Sequence, residues 1–226
     1  MRRAKTPDWD FVGWHYRALH TVGPPFHNRL WVRAKGLEKL PAREGFVYAG
    51  NHTSWWDPIV LQLTTPRPVN WLAKKEMMNN RFNRWFFFDK GGCIPVDRNA
   101  RNPEAFSAAA QALRDGRIIG IFPESTRFVG ELGPFKSGAA RLAFESGAPI
   151  VPVALATDRF WPSGRSLPKL NERVYLNVGE PIHVAGDPAD HDATRAATEK
   201  LRDAIDGLLR EARAARDARA DWPSPK

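Results

Sequence analysis

Four short apolar segments constrain the fold of this chain more than any other feature. They are residues 46–50, 91–96, 118–122 and 148–155. Each is rich in β-branched or aromatic residues and is bounded by Gly, Pro or a polar loop, which is typical of buried strands. Helical patterns at 103–114 and 137–146 alternate with them, as in the βα units of a parallel sheet. The sequence therefore predicts an α/β fold with a mixed, mostly parallel sheet flanked by helices.

The remaining patterns predict a single domain with an amphipathic helix at each end. We expect residues 1–34 to form an N-terminal amphipathic helix and linker, residues 35–190 the α/β core, and residues 191–226 a C-terminal helix and tail. The Ala- and Arg-rich stretch from 192 to 220 has an apolar stripe at helical spacing. A further strand is predicted at 174–178. A length of 226 residues suits one domain of ordinary size with such appendages.

The loop after the strand at 46–50 carries a histidine and an aspartate five residues apart. Asp57 precedes Pro58, which predicts a helix start with Asp57 as its N-cap. On one continuous helix, His52 and Asp57 would point about 140° apart. A loop that closes into a helix cap can instead let Asp57 accept from one ring nitrogen of His52, leaving the other nitrogen as a general base. The alternative is that Asp57 only caps the helix and His52 is an ordinary loop histidine.

Two later strand ends carry arginines. Glu124, Ser125, Thr126 and Arg127 follow the strand at 118–122, and Arg98 follows the strand at 91–96. The planar guanidinium fork suits phosphate oxygens, and Glu124 could hold such a fork or accept from a substrate hydroxyl. Alternatively, both arginines could be surface ion-pair partners that contribute little.

In this order and spacing, four motifs resemble those of the glycerolipid acyltransferase superfamily, typified by 1-acylglycerol-3-phosphate (lysophosphatidic acid) acyltransferases. Asn51, His52 and Asp57 match its Asn-His-x4-Asp motif. The Gly-rich strand at 92–98 ends in the expected arginine, residues 122–127 match Phe-Pro-Glu-Gly-Thr-Arg except at Ser125, and residues 151–153 match a Val-Pro-Val strand. The stretches 74–76 and 135–138 are also similar, so the resemblance covers about residues 35 to 185.

The resemblance implies an O-acyltransferase that moves a fatty acyl group from acyl-coenzyme A or acyl carrier protein to lysophosphatidic acid, giving phosphatidic acid. It implies that His52 is the general base, that Asp57 orients it, and that Arg98 and Arg127 bind the acceptor phosphate. Substrate contacts are implied at Arg98, Glu124, Ser125, Thr126, Arg127 and Lys136. No metal or other cofactor is implied, because the thioester donor is itself a substrate.

Ser125 stands where the family usually has glycine, and it keeps the acceptor open. If that glycine adopts a left-handed conformation, a serine there costs about 1–2 kcal/mol. If the glycine only makes room for substrate, the serine hydroxyl narrows the site or adds a hydrogen bond. The acceptor could then be another lysophospholipid, glycerol 3-phosphate, or a lipid bearing an amino acid or sugar. A non-catalytic lipid-binding protein is a less favoured alternative, since it would leave the histidine–aspartate pair idle.

The net charge of +9 favours anionic partners. Phosphate-bearing substrates, an acidic acyl carrier protein and anionic lipid headgroups all fit, whereas nucleic acid is not expected because no recognised binding motif accompanies the charge. The single cysteine, Cys93, excludes an internal disulfide, suits a reducing compartment and is expected to be a small core residue in a buried strand.

Membrane contact is expected to be peripheral. No stretch approaches 18 consecutive apolar residues and the N-terminus lacks a signal-peptide core, so we expect a cytoplasmic protein attached to the inner face of the cell membrane. Residues 8–22 form a candidate amphipathic anchor that could equally pack on the domain. In the second candidate, residues 82–88, Phe82, Trp85 and Phe86 share a helical face expected to be mostly core, while Phe87 or Phe88 could line an acyl tunnel or touch lipid.

Overall fold

The structure is a computed structural model of the chain. It describes residues 13–14, 17–18, 21–23, 31–65, 67–97, 102–128, 130–157, 172–187 and 189–225. Within these ranges one seven-stranded sheet runs in the order β1-β7-β6-β2-β5-β3-β4. Its strands are β1 Val32–Lys35, β2 Phe46–Gly50, β3 Val69–Lys74, β4 Ile94–Val96, β5 Ile118–Ile121, β6 Ile150–Thr157 and β7 Val174–Val178. All pairs are parallel except β6 with β7, so the predicted mixed, mostly parallel sheet is confirmed.

Four longer helices flank this sheet. They are α1 Asp57–Thr64, α2 Pro103–Arg114, α3 Gly138–Ser146 and α4 His191–Asp217. The predicted helix at 103–114 and the predicted strands at 46–50 and 174–178 have the expected bounds, while the other predicted elements shift by one to three residues. In the N-terminal candidate helix, residues 14, 17–18 and 21–22 are helical, and the rest of residues 8–22 lie outside the described residues.

Both faces of the sheet are buried, which explains why its strands are apolar throughout. Along β2, Phe46 and Tyr48 pack on the face covered by α1, while Val47 and Ala49 pack on the face covered by α2, α3 and α4. The C-terminal half of α4 covers β6 and β7 through residues such as Leu209. The helices therefore bury the sheet faces, and the loops lie at the two ends of the strands.

The segment between β3 and β4 differs from the prediction. It contains a helical turn Arg81–Asn83 followed by a π-helix Arg84–Asp89, which together form the aromatic segment (residues 81–89). The prediction that the face shared by Phe82, Trp85 and Phe86 is mostly core is wrong, because Phe82 is 63% exposed and Trp85 is 45% exposed. Phe88 is the ring that enters the core. The expectation assumed regular α-helical spacing, whereas the π-helix places 85 to 89 differently around the axis.

Cys93 also lies outside the predicted position. β4 begins at Ile94, three residues later than predicted, and Cys93 is partly exposed while it packs against the apolar face that contains Phe46. The protein around its sulfur nevertheless raises the pKa of the thiol to about 12, chiefly by desolvation. Cys93 is therefore held as a neutral thiol rather than a nucleophilic thiolate.

Candidate active site

The loop between β2 and α1 folds around a buried carboxylate. Asp57 is 1% exposed, and its Oδ2 accepts from Nδ1 of His52 at 2.9 Å and from the backbone amides of Thr53 at 2.6 Å and Ser54 at 2.7 Å. The expectation that Asp57 is the N-cap is corrected: α1 begins at Asp57 itself, with Pro58 second, and the carboxylate binds amides of the preceding loop rather than of its own helix. The predicted histidine–aspartate pair is nevertheless formed.

The hydrogen bond to Asp57 determines which ring nitrogen of His52 is available. An ionised carboxylate can only accept, so Nδ1 carries the proton and Nε2 presents its lone pair. No described residue makes a hydrogen bond to Nε2, and the side chain of His52 is 15% exposed. His52 is thus oriented as a base with one accessible nitrogen.

Asn51 fixes the start of the same loop. Its Nδ2 donates to the carbonyl oxygen of Leu155 at 3.1 Å, and its Oδ1 accepts from the amide of Leu155 at 2.8 Å. This pair of bonds continues the pairing of β2 with β6 one step beyond Gly50, which lies opposite Val153. The side-chain amide therefore anchors the loop to the sheet immediately before His52.

An aromatic stack lies beneath the imidazole. The rings of His52 and Phe122 are 4.1 Å apart and nearly parallel, and Phe122 in turn stacks on Trp71 at 5.0 Å. Gly120 makes room for this stack, since a Cβ at that position would lie 2.4 Å from the indole of Trp71. Sequence reasoning missed Trp71; the signal for it was a glycine inside an apolar strand, which often marks a close approach.

Glu124 joins the first loop to the loop that follows β5. It is 4% exposed; its Oε1 accepts from the amide of His52 and its Oε2 from the amide of Gly133, each at 2.9 Å. Burial raises the pKa of this carboxyl, and the two amide bonds act in the opposite direction. The amide of Phe128 donates to the carbonyl oxygen of His52 at 2.9 Å, so the backbone of the base is held from both sides.

Ser125 adopts the left-handed conformation that a glycine would adopt more easily. Its φ is 59°, and its amide donates to the carbonyl oxygen of Phe122 at 2.9 Å, which closes the turn. The turn therefore requires a positive φ, and the serine carries a conformational cost of about 1–2 kcal/mol. The expectation of a left-handed conformation is confirmed at this position. The side chain also lines the cavity described next, and its effect on substrate stays a prediction.

A cavity of about 860 Å³ opens beside Phe122 at the carboxyl ends of β3, β4 and β5. Its apolar wall includes Leu72 and Phe106, and Lys136 and Arg141 are among its charged lining residues. This volume suits a small-molecule or lipid headgroup substrate, and the position agrees with ligand sites of open α/β sheets.

The predicted site residues divide into three groups. His52, Asp57 and Glu124 are linked by hydrogen bonds, whereas Ser125 and Lys136 line the cavity. Thr126 and Arg127 are exposed on the same turn as Ser125, and Arg98 lies outside the described residues. Roles in substrate binding for these side chains remain predictions.

Two further features bear on the chemistry. Among the described residues, no group of three or more His, Cys, Asp or Glu side chains is arranged to hold a metal ion. None of the helices in the described ranges is both long and apolar enough to cross a membrane. What the site does present is a histidine–aspartate pair whose imidazole stacks on Phe122 of the cavity wall. Such a pair suits removal of a proton from a hydroxyl group.

Comparisons with known proteins show which family this chain belongs to. The Acyltransferase family model matches residues 31–156. The 1-acyl-sn-glycerol-3-phosphate acyltransferase of Bacillus subtilis is 37% identical over 157 residues, which cover 68% of this chain and 75% of that protein. Its counterpart in Borreliella burgdorferi is 33% identical over 122 residues, which cover 53% of this chain and 49% of that protein.

A solved structure supports the fold. The 1-acyl-sn-glycerophosphate (LPA) acyltransferase of Thermotoga maritima superposes with a TM-score of 0.58 at 23% identity, covering 92% of this chain and 81% of that one. The family model covers more than half of the chain and includes the first, second and third motifs together with the Val-Pro-Val strand. The resemblance seen in the sequence is therefore confirmed: this chain belongs to the Acyltransferase family and is an acyltransferase.

Proposed function

We propose that this chain is a 1-acyl-sn-glycerol-3-phosphate acyltransferase, which transfers a fatty acyl group from a thioester to the free hydroxyl of lysophosphatidic acid and forms phosphatidic acid. The observation that carries the proposal is the 2.9 Å bond from Nδ1 of His52 to Asp57, which leaves Nε2 available on a ring that stacks on Phe122 of the cavity wall. The names of the two relatives above supply the choice of acceptor.

The reaction needs one base and no protein nucleophile. Nε2 of His52 takes the proton of the acceptor hydroxyl as its oxygen attacks the thioester carbonyl carbon, and Asp57 stabilises the imidazolium that forms. Collapse of the tetrahedral intermediate breaks the carbon–sulfur bond. The imidazolium then returns the proton to the departing thiolate, so the products are an ester and a free thiol, and His52 is again neutral.

Substrate binding in this proposal uses the side chains that the resemblance implies. Arg127 and Arg98 bind the acceptor phosphate, Lys136 adds a positive charge from the cavity wall, and Ser125 and Thr126 contribute hydroxyl groups. Glu124 assists indirectly, since both of its carboxylate oxygens already accept backbone amides. Holding the hydroxyl and the thioester together is itself expected to accelerate the reaction substantially.

The donor and location belong to the same proposal. Either acyl-coenzyme A or an acyl carrier protein can supply the thioester, and no metal or other cofactor takes part. We place the enzyme on the cytoplasmic face of the cell membrane as a peripheral protein, where its lipid acceptor and product would reside. The excess of positive charge supports association with anionic lipid.

The experiment is thiol release from acyl-coenzyme A and from acyl carrier protein, with wild type, His52→Ala and His183→Ala. His183 is an exposed histidine away from the site, so its variant is the matched control. Acceptors are a short-chain lysophosphatidic acid, glycerol 3-phosphate and a zwitterionic lysolipid. We expect release with lysophosphatidic acid that falls roughly 10²–10⁴-fold in His52→Ala only.

Other outcomes change the proposal in defined ways. Release that depends on His52 but prefers another acceptor keeps the mechanism and replaces the substrate. Equal release by wild type and His52→Ala contradicts the general-base role.

A further inference from the structure

The aromatic segment presents large apolar side chains to solvent. Phe82 is 63% exposed and Trp85 is 45% exposed, whereas Phe88, three residues further on, enters the core. The backbone between them is fixed, since the amide of Lys90 donates to the carbonyl oxygen of Trp85 at 3.1 Å and the amide of Cys93 donates to that of Phe87 at 2.9 Å. The backbone that carries the exposed rings is therefore held in place by hydrogen bonds to the residues that follow it.

The rings also support one another. Phe82 stacks on Phe86 with centroids 5.7 Å apart and planes 9° from parallel, and Trp85 lies 6.3 Å from Phe86. Phe87 meets Phe86 edge-on at 5.1 Å. Because these contacts already restrict the side chains, burying Phe82 and Trp85 against a partner would cost less rotamer entropy than burying mobile chains.

Positive charge surrounds the rings. Residues 74–90 contain five Lys or Arg and two Asp or Glu, which leaves an excess of three positive charges. Arg81, Arg84 and Lys90 are exposed beside the aromatic rings. The carbonyl oxygen of Lys90 accepts from the amide of Gly13 at 3.0 Å, which brings the described N-terminal residues, including the 79% exposed Trp14, to the same region.

The aromatic segment is connected to the carboxyl ends of the strands, where the site lies. The turn Lys75–Asn79 leaves β3 at its carboxyl end, where Lys74 lies opposite Val96 of β4, and Val96 lines the cavity beside Phe122. A surface bound by the aromatic segment would thus contact a segment that begins at the carboxyl end of β3, next to the cavity.

We propose that the aromatic segment docks the enzyme on an anionic lipid bilayer, with Phe82 and Trp85 inserted at the interface and Arg81 and Arg84 over the headgroups. Aromatic rings favour that interface, and basic residues beside them add attraction to anionic lipid. The proposal rests on the proposed function in one respect: a lipid acceptor explains why such a surface adjoins the site. A diffuse anionic surface also fits the charge better than a neutral protein partner would.

The test measures partition of the full chain onto phosphatidylcholine vesicles with and without phosphatidylglycerol. The double variant Phe82→Ser with Trp85→Ser is expected to lose about tenfold or more in partition onto both vesicle types, because both apolar side chains are removed. Arg81→Gln with Arg84→Gln is expected to lose about tenfold on anionic vesicles and little on neutral ones.

A matched pair controls for net charge. Lys200→Gln with Arg210→Gln removes the same charge from exposed positions on α4 and is expected to bind anionic vesicles within about twofold of wild type. The thermal unfolding midpoint of every variant checks the fold, and the arginine pair keeps the proposal testable if the aromatic variant does not fold.

Two results would overturn the proposal: unchanged partition in the aromatic variant, or equal losses in the two charge pairs. A change in oligomeric state of the aromatic variant with unchanged partition would also overturn it and would assign the segment to contact between copies. If wild type transfers no acyl group to any acceptor while its vesicle binding still requires Phe82 and Trp85, the proposed function fails and the docking surface stands.

Discussion

Buried ionisable side chains hold the loops at both ends of the strands, but the charges are opposite. At the amino ends of β2, β3 and β5, Arg67 is 7% exposed and donates to four backbone carbonyl oxygens, those of Pro41, Arg43, Glu44 and Gly116. At the carboxyl ends, Asp57 and Glu124 together accept from four backbone amides, those of His52, Thr53, Ser54 and Gly133.

The difference lies in what else each group contacts. Desolvation lowers the pKa of Arg67, yet a guanidinium remains charged. Arg67 therefore stabilises the loops at the amino ends of the strands and takes no part in proton transfer. Asp57 has the same loop-closing role, but one of its bonds goes to the imidazole of His52. Buried charged side chains therefore hold the loops at both ends of the strands. Only the acidic side chain at the carboxyl ends also orients a group that can exchange a proton.

Asp57→Asn should produce the largest effect and separate chemistry from loop closure. Because all three donors meet Oδ2, an asparagine whose oxygen takes that position keeps the bonds to His52, Thr53 and Ser54 but lacks the negative charge that stabilises the imidazolium. We expect kcat to fall by about 10³–10⁴. Steady-state thiol release measures this, with the exposed Asp89→Asn as control. Activity within about tenfold of wild type would show that Asp57 only shapes the loop.

Arg67→Met tests the role of the buried arginine at the amino ends of the strands. Four partly buried carbonyl oxygens would lose their donor, so we expect the free energy of unfolding to fall by about 2–4 kcal/mol. Below the unfolding transition, kcat and KM should stay within about twofold of wild type. Arg43→Met, an exposed arginine in the same loop region, should change neither quantity. Loss of kcat in the folded Arg67 variant would mean that the active site at the carboxyl ends depends on the arginine at the amino ends.

Glu124→Gln distinguishes a positioning role from direct substrate contact. A glutamine can accept only one of the two amides and faces the other with its NH2 group, so we expect about 1–2 kcal/mol of lost stability. The kcat should fall about tenfold with an unchanged acceptor KM, because the backbone of His52 loses a fixed partner. The exposed Glu131→Gln is the control. A raised acceptor KM at unchanged stability would favour direct contact.

The sequence predicted what is local and missed what is distant. His52 and Asp57 are five residues apart on one loop, so chain geometry was sufficient to predict their hydrogen bond. Glu124 reaches an amide 72 residues away, and the four acceptors of Arg67 come from two separate loops, so neither arrangement follows from any local pattern.

The bounds of the predicted helices and strands lie within three residues of the observed ones, because both sheet faces are buried and the hydrophobic spacing is clear. Strand β1 was not predicted, since Val32–Lys35 was assigned mostly to the N-terminal helix and linker. The aromatic segment shows where that reasoning ends. Its spacing was interpreted with an α-helical period, but a π-helix from Arg84 to Asp89 redirects the rings. The backbone amides of Lys90 and Cys93, which follow this π-helix, bond to the carbonyl oxygens of Trp85 and Phe87.

The smallest expected effect concerns the turn that follows β5. Ser125→Gly removes the cost of a left-handed serine at φ 59° but adds backbone entropy to the unfolded chain, so the net gain in stability should be about 0.5–1 kcal/mol. Ser137 lines the same cavity with a φ of −73°, so Ser137→Gly removes the same atoms without relieving strain and should not stabilise the protein. Chemical denaturation of both variants measures the difference. If Ser125→Gly is no more stable than Ser137→Gly, contacts of the serine hydroxyl in the cavity offset the strain, and the serine is retained for what it binds rather than despite its conformation.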